Sequence, residues 1–147
     1  KSVKLILQRV SSASVAIDGE EISSINKGVL ILFGAEKGDG ERQADFLADK
    51  ILNLRIFPDD KGKMNFSSLD VGGGILVVSQ FTLVGDCSRG RRPGFDQAAD
   101  LDTARILYEY FVELLIQSGL KVGTGRFAAD MEVKLVNDGP VTFILER

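Results

Sequence analysis

The chain has 147 residues, 27% charged and 44% hydrophobic, with a net charge of −3; this suits one domain with a real core, and no apolar run approaches the ~20 residues of a membrane-spanning helix. A single cysteine, Cys87, and no histidine exclude an intrachain disulfide, a cysteine-based zinc site, a Ser-His-Asp triad, a Cys-His pair and any His-ligated metal. A hydrolase of this composition must move protons with carboxylates, backbone, water or the substrate itself, and an acidic chain must hold a nucleic acid by a local basic patch or by one end.

The basic start, Lys1-Ser2-Val3-Lys4, runs directly into strand-like alternation without the apolar stretch of a signal peptide, so a cytoplasmic protein is expected. Lys4 to Val10 reads as a strand, with Leu5, Leu7 and Arg9 on one face and Ile6, Gln8 and Val10 on the other. Ala13, Val15 and Ile17 alternate in the same way, and Asp18-Gly19 marks a hairpin. Gly28 to Gly34 is an apolar run suited to a strand buried on both faces. A helix fits Glu41 to Leu54, with Ala44, Leu47, Ala48, Ile51 and Leu54 at helical spacing. Pro58 to Gly62 is a turn by composition, and Gly72-Gly73-Gly74 precedes an apolar strand from Ile75 to Phe81. A loop from Gly85 to Gly94 carries Arg89, Arg91 and Arg92. The strongest helix runs from Asp102, read as its N-cap, to Ser118, with Leu107, Phe111, Leu114 and Leu115 buried and Gly119 as its stop. Met131 to Val136 and Val141 to Leu145 read as two strands joined by Asn137-Asp138-Gly139-Pro140. The expected fold is one α+β domain with more strand than helix.

Five segments could carry chemistry. The triple glycine lies before a strand rather than between a strand and a helix, and no Lys-Ser or Lys-Thr follows it, so it reads as a turn and not a phosphate loop. Ser79-Gln80-Phe81-Thr82-Leu83 ends an apolar strand, where polar side chains either cap the next turn or emerge at a site; a Ser or Thr nucleophile there would have no imidazole to activate it. Gly139-Pro140 is either a plain hairpin connection or a cis peptide, a minority form at about 5–6% of X–Pro bonds, that turns two carbonyls toward an ammonium group. The loop arginines could be solvated or contact phosphates near an RNA end, and Gly123 to Phe127 could be a ligand loop or a connector.

In their order and spacing, Gln8-Arg9-Val10, Ser79 to Leu83, Gly125 to Met131 and Asn137 to Thr142 resemble the D-aminoacyl-tRNA deacylase family along essentially the whole chain. Phe81 favours the D-specific branch over a sister family that departs at this position. The resemblance implies a strongly curved, barrel-like, mainly antiparallel sheet with two main helices. It also implies a homodimer with its active sites at the subunit interface. Gly139 and Pro140, in a cis peptide, would enter the partner's pocket and hold the substrate's α-amino group, excluding an L side chain. Ser79, Gln80, Phe81 and Thr82 would form the floor and place the ester carbonyl, and Phe127 and Met131 would receive the terminal adenosine. Asn137 belongs to the same substrate-binding segment, and Arg9 would support it from beneath. The expected reaction is hydrolysis of the ester of D-aminoacyl-tRNA, and of glycine mischarged on tRNA-Ala, with Thr82 placing the substrate rather than attacking it. The partner is the 3′ end of aminoacyl-tRNA; no DNA, membrane, cofactor or metal is expected, although carboxylates alone can bind magnesium. Two competing readings are a non-catalytic RNA-end-binding module and a small-ester hydrolase using Thr82 or Ser79 with Asp130 as base.

Overall fold

Alternation along the strands decides the architecture, because it supplies two apolar faces rather than one. The computed structural model describes residues 3–147, so Lys1 and Ser2 of the basic start lie outside the described residues. Strand β1 (Lys4–Ile17) pairs antiparallel with β2 (Glu20–Ile25), β3 (Gly28–Gly34) and β8 (Glu132–Glu146). On the far side of β3, β6 (Gly74–Ser79) and then β7 (Val122–Thr124) add in parallel, giving a six-stranded sheet. The sheet is therefore mainly antiparallel, and β2 curls round against β6 and β7 to make it barrel-like.

Each central strand feeds two cores. Val29, Ile31 and Phe33 of β3 and Ile75 and Val77 of β6 pack under the helices; Leu30, Leu76 and Val78, which alternate with them, fill the barrel interior. This is why both strands read as continuous apolar runs. Strand β1 shares the two cores differently. Leu5 and Leu7 join the helix-side core, but Val10, Ala13 and Val15 all face the barrel interior. The facing therefore changes phase between Val10 and Ala13, at Ser11-Ser12, where the pairing with β8 also shifts register. The two short runs expected at this end are thus one 14-residue strand with an irregular middle.

Helices α1 (Glu41–Asn53) and α3 (Leu101–Ile116) cover the outer face, and a four-residue α2 (Ser68–Val71) precedes β6. Phe111 of α3 stacks on Phe33 with ring centroids 4.6 Å apart, and both rings are essentially inaccessible to water. Truncating such a ring to Ala costs about 3–5 kcal/mol. The N-cap of α3 is Asp100, not Asp102: its carboxylate accepts the Thr103 N–H at 2.8 Å and the Thr103 hydroxyl at 3.0 Å. Asp102 instead lies in the first turn beside Arg105, at 3.3 Å. Leu101 is 66% exposed, so the first helical residue contributes no burial by which the start could be recognised. A small hairpin, β4 (Phe57–Pro58) with β5 (Met64–Phe66), flanks the turn at Pro58 to Gly62.

The C-terminal expectation needs the largest correction. Asn137-Asp138-Gly139-Pro140 does not reverse the chain. Residues 132–137 pair with Val10 to Ala16 of β1, and residues 142–146 pair with Lys4 to Gln8, in the same antiparallel sense. The segment is a bulge pushed out of one 15-residue strand, opposite Arg9. A hairpin and a bulge use the same turn-forming residues; what separates them is the neighbour, and here both halves of β8 have one neighbour, β1.

Candidate functional site

A cleft of about 430 Å³ opens where β6 leaves the sheet. Ser79 is the last residue of β6 and pairs with Phe33; the Gln80 N–H then donates to the Phe33 carbonyl at 2.8 Å, after which the chain winds into a 3-10 helix over Phe81–Val84. The strand expected to reach Phe81 therefore ends two residues earlier. That change of conformation places Ser79, Gln80 and Phe81 along one wall of the cleft. Thr82 follows on the 3-10 helix and is not among the lining residues; its hydroxyl oxygen accepts a hydrogen bond from the Gln80 side-chain amide at 2.5 Å.

The second wall is the loop from β7 to β8, which supplies Phe127, Ala128, Ala129, Asp130 and Met131. Gly125 lets the Met131 side chain pack close against the loop: a Cβ there would come within 2.6 Å of the Met131 sulfur, which would have to shift. The Arg126 N–H points at that sulfur at 3.4 Å, and the Ala129 N–H closes a turn on the Arg126 carbonyl at 3.1 Å. Ala128 takes φ +64°, a conformation L-residues seldom adopt, at the edge of the cleft. The segment Gly123 to Phe127 is thus both connector and cleft wall, beginning as β7 and ending at Phe127.

Behind this wall stands Tyr108, which no motif in the sequence singles out. It is 5% exposed, its ring lies 5.8 Å from that of Phe127, and its hydroxyl donates to the Val77 carbonyl at 3.0 Å. The same carbonyl accepts the Gly125 N–H at 3.1 Å. One backbone oxygen of β6 therefore holds both the start of the loop and the residue that backs its aromatic ring. Burial, and then the nearby Glu109, push the Tyr108 phenol well above its ordinary pKa, so it remains a donor at any physiological pH. The remaining lining is apolar and includes three small residues, Ala98, Ala99 and Ala104, from the approach to α3 and its first turns. Such residues carry no local signal. Tyr108 could have been suspected as a polar tip inside the apolar stripe of α3.

Arg9, Asn137, Gly139 and Pro140 lie elsewhere: none lines the cleft of its own chain. Gly139 and Pro140 are exposed at the crest of the bulge, and the peptide between them is cis. Asn137 ties the base of the bulge across its neck: its side-chain oxygen accepts the Val141 N–H at 2.7 Å, and its amide donates to the Thr142 hydroxyl at 3.1 Å. Arg9, 8% exposed, reaches up from β1 to the Asp138 carbonyl at 3.0 Å, with the Asp138 carboxylate at 3.6 Å. Its other arm donates to the Ile56 carbonyl at 2.6 Å. A rigid, exposed peptide unit therefore projects from the sheet, held from both strands. Among the described residues, no group of three or more cysteine or carboxylate side chains is arranged to hold a metal, and no helix is long and apolar enough to cross a membrane.

Comparison with known proteins matches this arrangement to one family. A family model described as D-Tyr-tRNA(Tyr) deacylase fits residues 6–146. D-aminoacyl-tRNA deacylases of Geotalea daltonii and Pelobacter propionicus are 58% and 57% identical, over 98% and 99% of this chain and 96% and 100% of theirs. A solved structure described as c-Myc DNA Unwinding Element Binding Protein superposes with a TM-score of 0.92 at 40% identity, covering 98% of each chain. A probable eukaryotic D-amino acid tRNA deacylase, 15% identical, shares the fold with a TM-score of 0.88 over 100% of each chain. The chain belongs to the D-Tyr-tRNA(Tyr) deacylase family.

Proposed function

We propose that this enzyme hydrolyses the ester joining a D-amino acid to the 3′-terminal ribose of tRNA and spares the L-aminoacyl ester. It works as a homodimer in which Gly139-Pro140 of each subunit enters the cleft of the other. The observation that carries this reading is the separation of two halves of one site. The cleft with Ser79, Gln80, Phe81, Phe127 and Met131 lies in the fold, whereas Gly139 and Pro140 stand exposed and outside it. A second copy joins the halves. Within that site the Gly139 and Pro140 carbonyls accept hydrogen bonds from the substrate's α-amino group and leave no room for an L side chain. Glycine, which has no side chain to exclude, passes the same filter, so glycine mischarged on tRNA-Ala is also a substrate. Phe127 and Met131 receive the terminal adenosine.

The chemistry follows from what lies in the cleft and beside it. No histidine exists in the chain, and the Thr82 hydroxyl is engaged by the Gln80 amide rather than by a carboxylate. Thr82 and its neighbours therefore place the ester carbonyl, and water attacks with help from the adjacent ribose 2′-hydroxyl. Positioning and fixed dipoles supply the acceleration in place of a titrating base. Charged tRNA is found where translation occurs, which places the enzyme in the cytoplasm and makes its role the removal of wrongly charged amino acids.

The direct test incubates the protein with D-aminoacyl-, L-aminoacyl- and glycyl-tRNA. Turnover of the D and glycyl esters with the L ester intact is the expected result. Binding without turnover would mean an RNA-end-binding module, and cleavage of simple esters without tRNA would mean a small-ester hydrolase. A trapped acyl group on Thr82 would overturn the placement role given to that residue.

A further inference from the structure

The hairpin between Asp86 and Gly94 is closed by two short backbone hydrogen bonds, Asp86 N–H to the Gly94 carbonyl at 2.7 Å and Gly94 N–H to the Asp86 carbonyl at 2.8 Å. Its exposed tip carries Arg89, Arg91 and Arg92, three cations within four residues of a chain whose net charge is −3. The foot of the hairpin is fastened to the rim of the cleft. Phe95, next after Gly94, sets its ring 5.0 Å from that of Phe81, tilted by 51°, and the Ala98 N–H donates back to the Phe95 carbonyl at 3.1 Å. Phe81, Ala98 and Ala99 all line the cleft. Phe81 is 58% exposed and Phe95 38%, so the touching pair presents aromatic surface to solvent at the rim of the cleft. Arg126, also exposed, stands beside Phe127 on the loop that forms the other wall.

Guanidinium groups beside exposed aromatic faces are what a single-stranded nucleic acid requires: cations for the phosphates and flat apolar surface for the bases. We infer that the Arg89–Arg92 hairpin and the Phe81–Phe95 pair form a binding track for the unpaired nucleotides of an RNA 3′ end that immediately precede the nucleotide seated in the cleft. Phe95 stacks on a base, with Phe81 as its support, and the arginines take the phosphates. The inference rests on the deacylase reading for what occupies the cleft, but the track itself is a property of the hairpin. It also gives a protein of net charge −3 a local cluster of cations with which to engage a polyanion.

The test uses the full chain, a short single-stranded RNA with a free 3′ adenosine, and two variants. In Arg89→Gln/Arg91→Gln/Arg92→Gln, affinity for the RNA should fall at least about 10-fold. The slope of log affinity against log salt should flatten by about 2, near 0.7 for each phosphate that is no longer neutralised on a single strand. In Phe95→Leu affinity should fall with the salt slope unchanged. Hydrolysis of a D-aminoacyl-adenosine, which lacks the preceding nucleotides, should match wild type in the arginine variant. Wild-type RNA affinity and salt slope in the triple variant would overturn the inference, as would duplex DNA of equal length competing as well as the single strand. If arginine-dependent RNA binding is found while wild type cleaves no D-aminoacyl ester, the track stands and the deacylase reading falls.

Discussion

Gly139→Ala isolates the projecting peptide from the rest of the fold. Gly139 has φ +146°, a region essentially reserved for glycine, and a Cβ there would lie 2.6 Å from Val141 Cγ2 and 2.9 Å from the Val141 backbone nitrogen. The methyl can rotate away, but the backbone nitrogen cannot, because its N–H is held by the Asn137 side chain at 2.7 Å. Residues forced into such conformations cost about 1–3 kcal/mol. For a domain of this size that is a fall in Tm of roughly 2–12 °C, which leaves the protein folded. The added methyl would also stand at the crest of the bulge, where the proposed function puts the substrate's Cα. The expected outcome is a modest loss in thermal unfolding, with a larger loss of D-aminoacyl-tRNA deacylation or of discrimination against the L ester in single-turnover assays. Wild-type cleavage of the D ester with the L ester still spared would refute the role assigned to Gly139, and an unchanged Tm would refute the steric argument.

Arg9→Leu removes the buried guanidinium that joins the Asp138 and Ile56 carbonyls and leaves the latter without its donor. The cost should be about 2–4 kcal/mol by denaturant titration, with weaker discrimination between D and L esters because the bulge is no longer held from beneath. Tyr108→Phe keeps the ring against Phe127 and deletes one hydrogen bond to Val77, so KM for D-aminoacyl-tRNA should rise several-fold at nearly constant kcat; equal loss in kcat would place Tyr108 closer to the chemistry. The Asp100 carboxyl is held below its usual range by the Thr103 backbone N–H, and then by the Thr103 side chain, so its capping contribution is complete above the ordinary carboxylate pKa and is lost as pH falls through the lowered value in the folded protein. Asp100→Asn, which caps without ionising, should therefore lose less stability than wild type between neutral and acid pH, read from unfolding at each pH.

Regular elements were legible where period and burial agree. Gly28 to Gly34 was readable as a doubly buried strand because both of its faces meet apolar neighbours, and α1 because Ala44, Leu47, Ala48 and Ile51 all point inward. Sequence and structure diverge where a tertiary neighbour, rather than local sequence, decides. Asp100 and Asp102 are equally good caps in isolation, and only the Thr103 contact selects the first. At Ser11-Ser12 the strand changes which core it faces, so alternation on either side looked like two strands. The short β7 has no signature in the sequence because three residues carry no period at all. At the site, the named motifs located both walls of the cleft, whereas the alanines and Tyr108 between them became visible only once α3 was placed over β6.

The bulge shows most clearly what pairing adds to sequence. Asn, Asp, Gly and Pro in succession would close a hairpin if the two flanking runs paired with each other. They do not, because Thr142 to Glu146 continue along β1 after Asn137 has left it, and Arg9 fills the gap that the departing chain leaves opposite. A hairpin tip moves with its own two strands. A bulge held at its neck by Asn137 and from below by Arg9 is instead fixed to the central strand of the sheet, and so to the core beneath. Backbone carbonyls can act as a selective filter only if their positions are fixed before the substrate arrives, since any settling on binding would admit both hands. The discrimination proposed for Gly139 and Pro140 therefore depends on Arg9 and Asn137 as much as on the peptide itself. Loosening either anchor should blur D from L before it slows the cleavage of D.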